Sequence, residues 1–474
     1  MSPFVNIPDH LSLFDWLVFF GVLAVTIGTV ILGNRRHRRQ VSEPGILDLL
    51  LMGRRLTLPL FAGTLVATWY GGILPVTEFA FTTGLYSWVT QGGFWYAAYL
   101  LFAFCLVGRI RATQATTMPD LLRRQFGPRS GKLGAWLNLF NVLPVSYVLS
   151  LGLLLQLMFG GGGTGWWMLA GTGVVLAYST SGGLRSVVLS DMIQFVVMCL
   201  SVALVIGFSI ATFGGIGWLQ SQESIPSSHW KPFGEGIPLG TTLVWGLVAF
   251  GTLVDPNFYQ RCLAAESPRT AKRGILLATL VWVCFDFCTT FGALYARAVI
   301  PEAESMTAYL TYSVQLLPVG LKGFFLAGIL ATILSTLDSY LFLSGTVVAY
   351  DLAPAQKKGS VRYHHLGTLV IGLLAVGVTR LFQGTPLVNI WKFFGGFSTA
   401  CLLLPLMAGL AFPGRLRDRD FVTASLGGVG CLLGFFVLQR ILPESSPLQT
   451  WEPFYFGVLG TVPGLSFIFT AHQR

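Results

Sequence analysis

Long apolar runs, each closed by a polar, basic or glycine–proline stretch, recur from one end of this chain to the other. A membrane-spanning helix needs about 20 mainly apolar residues. Thirteen runs meet that need, at 12–33, 58–80, 86–108, 133–159, 164–180, 187–212, 237–258, 274–298, 320–350, 363–383, 387–411, 421–442 and 451–471. They predict an all-α polytopic membrane protein, one transmembrane domain over residues 1–474. The longest connections on the predicted outer side, Gln220 to Glu235 and Pro301 to Pro318, are too short and too apolar to fold as domains.

Composition agrees. Hydrophobic residues make up 53% of the chain and charged residues 11%, too apolar for a soluble globule. The 56 Gly and 37 Phe suit helices that pack closely against one another and turn bulky faces to lipid. A net charge of +10 would suit a nucleic-acid partner, but membrane proteins gather basic residues on cytoplasmic loops. Alternate threading with the N-terminus outside places 24 of the 30 Lys and Arg on one side. They are Arg35 to Arg39 with Arg54 and Arg55, Arg109 to Lys132, Arg185, Arg261 to Arg273, Lys357 to Arg362, Arg415 to Arg419, and Arg474. The other six, such as Lys231 and Arg440, are scattered singly. The asymmetry predicts a multi-pass inner-membrane protein with its C-terminus in the cytoplasm and no nucleic-acid partner.

The first run, Leu11 to Leu32, has its basic cluster after it and none before. A secretory signal has the reverse order, so the run is read as a retained span. Cys105, Cys199, Cys262, Cys284, Cys288, Cys401 and Cys431 lie in or beside apolar runs without paired spacing. They are read as small buried hydrophobes rather than metal ligands or disulfides. No phosphate-binding loop is present, so energy for transport comes from a gradient or none is used. No histidine cluster, nucleophile motif or cofactor loop points to an enzyme.

Two runs are interrupted. In the second, Ala67-Thr68-Trp69-Tyr70-Gly71-Gly72 is followed by Pro75; in the seventh, Gly251, Asp255 and Pro256 break the apolar pattern. Non-helical backbone at membrane depth is tolerated where it lines a cavity, and its carbonyls can then hold a cation. The two runs lie five apart, as inverted repeats of runs 2–6 and 7–11 require. A simple kink filled by neighbouring helices is the other reading. In the ninth run, Thr332, Ser335, Thr336 and Ser339 are spaced by three and four and share one helical face, with Asp338 one residue off it. Their hydroxyls are hard oxygen ligands suited to sodium, or else hydrogen-bonding glue between helices. Asp191 serves either as a helix cap after Ser181-Gly182-Gly183 or as a cation ligand. Asp286 is a mid-span acid with no partner visible in the sequence. Lys392 either pairs with an acid or extends its amine to the interface.

Taken together, four segments and the ninth run resemble the sodium:solute symporter family over nearly the whole chain. Leu51-Met52-Gly53-Arg54-Arg55-Leu56 resembles its GGR-x-L segment. Thr117-Met118-Pro119-Asp120-Leu121-Leu122, continuing through Arg124-Gln125-Phe126-Gly127, is similar to its T-x-P-E-x-L-x-x-R-F/Y-G loop. Tyr178 through Gly182-Gly183-Leu184-Arg185-Ser186-Val187 to Asp191-Met192-Ile193-Gln194 is similar to its Y-x-x-x-GG signature, and Phe258-Tyr259-Gln260-Arg261 and Ser335-Thr336-Leu337-Asp338-Ser339 follow in family order. The resemblance implies a LeuT-type fold of five plus five inverted spans, with repeats at 58–212 and 237–411, one extra span at 12–33 and two at 421–471. It implies alternating access driven by sodium. By the same resemblance, a sodium ion would be held by the carbonyls of Ala67, Tyr70 and Thr332 and the hydroxyls of Ser335 and Thr336. A second sodium, found in some members, would use Asp191, Ser335, Asp338 and Ser339. The ATW-x-GG break followed by Glu78 looks most like the choline-transporter branch, in which the Trp belongs to an aromatic cage for a quaternary ammonium. Trp69, Tyr70, Gly71 and Glu78 are the candidate solute contacts by that likeness, and a packing Trp at a helix break is the alternative.

The expected function is sodium-coupled symport of a small organic solute by a monomer or weak oligomer in the bilayer. The rivals are a transporter-like membrane sensor, for which no output domain is present, and an uncoupled uniporter. The hydroxyls at Ser335 and Thr336 favour coupling.

Overall fold

The computed structural model describes residues 7–40, 45–179, 183–443 and 445–465. Ser181, Gly182, Arg474 and the end of the last predicted run lie outside the described residues, as do the side chains of Arg38 and Arg39. Among the described residues the chain is helical throughout, and extended pairing is limited to one isolated parallel bridge between Leu56 and Ala265.

Ten of these helices are long and apolar enough to cross a membrane: Leu13–Arg36, Leu85–Ala112, Pro128–Phe159, Leu184–Phe213, Leu239–Ala264, Pro268–Val299, Leu321–Asp351, Val361–Leu381, Leu387–Ala411 and Asp418–Ile441. The pair Leu58–Trp69 and Ile73–Thr83, bent by 62° at the break between them, makes an eleventh when counted as one broken span. Each overlaps one predicted run, in order. The two runs left over are the helices Thr164–Ser179 and Pro453–Leu465. Both run to the edge of the described residues, the first with 16 residues described. On length and composition, then, eleven of the thirteen predicted spans stand.

Local chemistry explains the interruptions. Tyr70 and Gly72 leave helical geometry at φ −96°, ψ 17° and φ −84°, ψ 22°. Pro75 falls in the first turn of the second arm, where its missing N–H is not needed. In the seventh span the helix tightens to a 3-10 turn over Phe250–Val254 and stops at Asp255, which is extended. The Asp255 carboxylate then accepts from the N–H groups of Asn257 (2.8 Å) and Phe258 (3.4 Å), capping the Pro256–Ala264 helix.

The Leu321–Asp351 helix is the hub, with its apolar stretch wholly buried. Against it pack Leu13–Gln40, Leu58–Trp69, Leu184–Phe213 and Val361–Leu381. A helix that is apolar all round belongs in such a place. The outer helices instead turn Leu17, Phe104, Leu200, Leu280 and Val437 outward, the faces that meet lipid. Cys105, Cys284 and Cys431 lie on these outward faces rather than in the core, because a thiol is apolar enough for either place.

Most of the basic connections meet at one end of the bundle. Arg54 donates to the carbonyls of Gln114 (2.9 Å) and Ala115 (3.0 Å), Arg111 to that of Leu263 (2.9 Å), and the Asp418 carboxylate accepts from the Ser130 N–H (2.7 Å). At the opposite end Lys322 reaches the His10 carbonyl (3.1 Å) and Ser224 that of Ala298 (3.0 Å). One basic residue departs from these loops. Arg261, counted by sequence among the loop charges, is fully buried inside the bundle.

Candidate ion and solute site at the broken helices

The break in the second span faces the hydroxyl-rich turn of the hub helix. The Ser335 hydroxyl donates to the Ala67 carbonyl at 2.7 Å and to the Thr332 carbonyl at 3.1 Å. Thr336 donates to the same Thr332 carbonyl at 3.1 Å. Gly71 lies so close that a Cβ placed on it would sit 2.5 Å from the Thr336 Cβ and Oγ1. Only a glycine allows the two segments to approach this far. Ala67, Thr332, Ser335 and Thr336, 265 residues apart in sequence at their closest, therefore meet as a small group of carbonyl and hydroxyl oxygens. The Thr332 hydroxyl itself is turned back on the Ile329 carbonyl at 2.7 Å, so the backbone of Thr332, not its side chain, faces the group. Tyr70 is where helical backbone stops.

One turn nearer the basic end lies a second polar layer, built around Arg261. Its guanidinium donates to the hydroxyls of Thr68 (2.6 Å), Ser339 (2.8 Å) and Thr64 (3.3 Å) and to the Asn257 carboxamide (3.1 Å). It lies 3.7 Å from the Asp191 carboxylate, with both side chains fully buried. Asp191 also accepts from the Thr64 hydroxyl, and Ser190 donates to Asp338 at 3.3 Å. Asp191 and Ser339 thus lie against a cation that the chain supplies itself. Asp191 does not cap its helix: Gly183 occupies the N-cap position of Leu184–Phe213, and Asp191 lies two turns further in.

On the other side of the break two small adjoining cavities open, of about 50 Å³ and 20 Å³. Both are walled by Trp69, Trp95 and Trp391; Asp255 lines the first and Asp286 the second. Trp69 sets its edge against Phe258, with ring centres 5.0 Å apart. The Tyr70 and Tyr96 hydroxyls both donate to Asp286. Glu78 lies elsewhere. Eight residues beyond Tyr70 on a helix rising about 1.5 Å per residue, it lines a separate, larger cavity with Gln156, Arg380 and Gln383 and accepts from Ser305 at 3.4 Å. Lys392 pairs with Glu452 at 2.9 Å, which decides between its two sequence readings.

Sequence reasoning missed two members of this centre. Asp286 was visible as an acid in mid-span, but its partners Tyr70 and Tyr96 come from distant helices. Arg261 was visible as a loop charge and as the last residue of the Phe258-Tyr259-Gln260-Arg261 segment, with nothing to show that its side chain turns inward.

A family model described as the sodium:solute symporter family matches residues 50–412. The chain is 29% identical over 268 residues to the sodium/pantothenate symporter of Escherichia coli (strain K12), covering 54% of this chain and 55% of that protein. It is 27% identical over 304 residues to sodium/myo-inositol cotransporter 2 of Mus musculus, covering 53% of this chain and 44% of that one. The chain spans about half the length of the curated relatives it matches. Its fold is similar to that of a sodium-coupled sialic acid symporter solved in a substrate-bound outward-open state, with TM-score 0.75 at 16% identity over 97% of this chain and 98% of that one.

Proposed function

The chain belongs to the sodium:solute symporter family, and from that premise we propose that it drives a small organic solute across the cell membrane with sodium, by alternating access. The observation that carries the reading is the Ser335 hydroxyl on the Ala67 carbonyl, across the break, at 2.7 Å. Rotated toward a cation, the hydroxyls of Ser335 and Thr336 and the carbonyls of Ala67, Tyr70 and Thr332 become its oxygen ligands, in the manner of sites at discontinuous helices. Sodium held there ties the first arm to the hub helix. It orders the Trp69–Tyr70 turn that the solute then meets, and it shifts the equilibrium only as far as it binds one state better than the other.

One sodium per cycle is the stoichiometry this reading favours. In the second group, Asp191 and Ser339 are already served by the Arg261 guanidinium, a tethered cation. The two interrupted spans, five apart, support inverted repeats at 58–212 and 237–411, flanked by the spans at 12–33 and 421–471 to make thirteen in all. The gathering of basic loops at one end supports a cytoplasmic assignment for that end, with the N-terminus outside.

The test needs no knowledge of the solute. Thermal stability of the purified chain is titrated with sodium at constant ionic strength, with potassium as the balancing ion. The wild type should be stabilised saturably by sodium. Ser335→Ala and Thr336→Ala should each require at least roughly tenfold more, the loss expected of one charge-assisted contact. An unaltered sodium requirement in both variants would refute the assignment.

A further inference from the structure

The Leu13–Gln40 helix is fastened to the bundle near both ends. Near its start the Asp15 carboxylate accepts from the N–H groups of Gly320 (2.6 Å) and Gly323 (3.3 Å), at the beginning of the hub helix. Near its end the Asn34 carboxamide donates to the Ser186 hydroxyl at 2.8 Å. Between the two clamps a groove of about 320 Å³ separates this helix from Val145–Phe159 and Thr164–Ser179. Phe19, Leu23, Thr26, Ile27 and Val30 form one wall, at the three- and four-residue spacing of a single helical face. Buried Leu330 and Leu334 of the hub form the floor; they stand on either side of Thr332 in sequence and directly before Ser335. Thr26 turns its hydroxyl back on the Val22 carbonyl at 3.0 Å, and the surface offered to an occupant is almost wholly apolar.

The clamps keep the groove from closing, and an unfilled space of this size would leave its walls without contact partners. Phe20 and Val174, also in its lining, are exposed, so it opens sideways, to the bilayer. Stacked rings shut one end, Trp16 on Phe159 with centres 5.3 Å apart and Phe159 on Trp167 at 5.4 Å. Beyond the other end the apolar run stops at Leu32, and Arg35 and Arg36 follow, both exposed. From Phe19 to Val30 the helix rises about 16 Å, close to half of a hydrocarbon core roughly 30 Å thick. Length and polarity match one lipid chain of the leaflet on the basic side. The arginines lie where its headgroup would be, and basic residues there favour a negative one.

We propose that this groove binds an acyl chain of an anionic phospholipid, and that the chain, packed on Leu330 and Leu334, holds the neighbouring hydroxyl turn of the hub in the arrangement that binds sodium. The lipid site stands without the symport reading; its effect on sodium rests on that reading.

The experiment uses the purified full chain. Native mass spectrometry counts retained lipid, phosphatidylglycerol with a diazirine in its acyl chain maps the site, and thermal stability is titrated with sodium before and after delipidation. The wild type should retain phosphatidylglycerol in preference to phosphatidylcholine, and the light-activated label should fall on peptides carrying Thr26, Ile27 or Val174. Val174→Trp sets an indole across the mouth and should lose the lipid. Arg35→Gln with Arg36→Gln should lose the preference for phosphatidylglycerol. Delipidation should raise the sodium requirement of the wild type at least roughly fivefold, the lower end of ordinary coupling between two sites. Phosphatidylglycerol should restore it, and Val174→Trp should respond to neither treatment. If Val174→Trp does not fold, Ile27→Trp replaces it with the same expectation. Label spread evenly over the outer helices would overturn the proposal, as would equal retention of the two lipids by the wild type. A focused label with a sodium requirement indifferent to lipid would overturn the coupling. A focused label on a chain that sodium does not stabilise in either state would leave the lipid site standing and refute the symport reading instead.

Discussion

Replacing Arg261 with Gln removes a full positive charge from a fully buried site. The wild-type guanidinium makes four hydrogen bonds of 2.6 to 3.3 Å and stands 3.7 Å from Asp191. Glutamine retains one or two of those bonds and none of the charge. Leaving one partner of a buried ion pair costs about 3–5 kcal/mol, a large share of the stability of an ordinary domain. The polar shell left behind, Asp191, Asp338, Ser339 and Thr68, is what a small cation requires. Arg261→Gln should therefore be unstable in potassium and regain stability in sodium, by about 2.7 kcal/mol when sodium reaches a hundred times its dissociation constant. The slope of its stability against the logarithm of sodium concentration should also rise, from about one bound ion toward two, because a second ion now binds. Adding Asp191→Asn removes the orphaned charge and should restore stability without sodium. Thermal unfolding of the four proteins in the cycle, in each salt, measures all of this. The reasoning fails if Arg261→Gln is as stable in potassium as the wild type, or if Asp191→Asn does not recover it.

Two further outcomes follow from the geometry. Gly71→Ala should force the broken segment off Thr336, where its Cβ would come within 2.5 Å of two side-chain atoms. Overpacking of that kind costs about 1–3 kcal/mol, and sodium titration should show the loss as weakened affinity rather than as misfolding alone. At the basic end, Asp120 accepts from the Thr116 N–H at 3.0 Å and from Arg123 and Arg124, while Thr117 caps its helix. Burial pushes the Asp120 carboxyl upward, but these bonds and charges prevail and hold it below the usual carboxylate range. A depressed value means the stabilisation is complete above that range and is lost as pH falls through it. Asp120→Asn should thus cost about 1–2 kcal/mol at neutral pH, and the gap to wild type should close in acid melts.

The sequence was most informative where one residue type suffices to fix the backbone. Gly71-Gly72 with Pro75, and Asp255-Pro256, announce breaks because each residue is costly inside a helix and cheap at its start, and both breaks are present. The hydroxyl turn at 332–339 was readable from spacing alone. Side-chain partnerships between distant helices were not. Nothing in the neighbourhood of Asp286 indicates that Tyr70 and Tyr96 will reach it, and Arg261 reads as a loop charge until the Pro256–Ala264 helix is seen to turn it inward. Glu78 was grouped with Trp69 by its nearness in sequence, yet two helical turns carry it to another cavity.

Direct counting of bound sodium tests the central claim most closely. Equilibrium binding of radioactive sodium to the purified chain, by scintillation proximity, should saturate at one ion per chain. Ser335→Ala and Thr336→Ala should each lower the affinity, while Asp286→Asn should leave it in place. Binding that is unchanged in both hydroxyl variants, or no saturable binding in the wild type, would contradict a cation held between the broken second span and the hub helix.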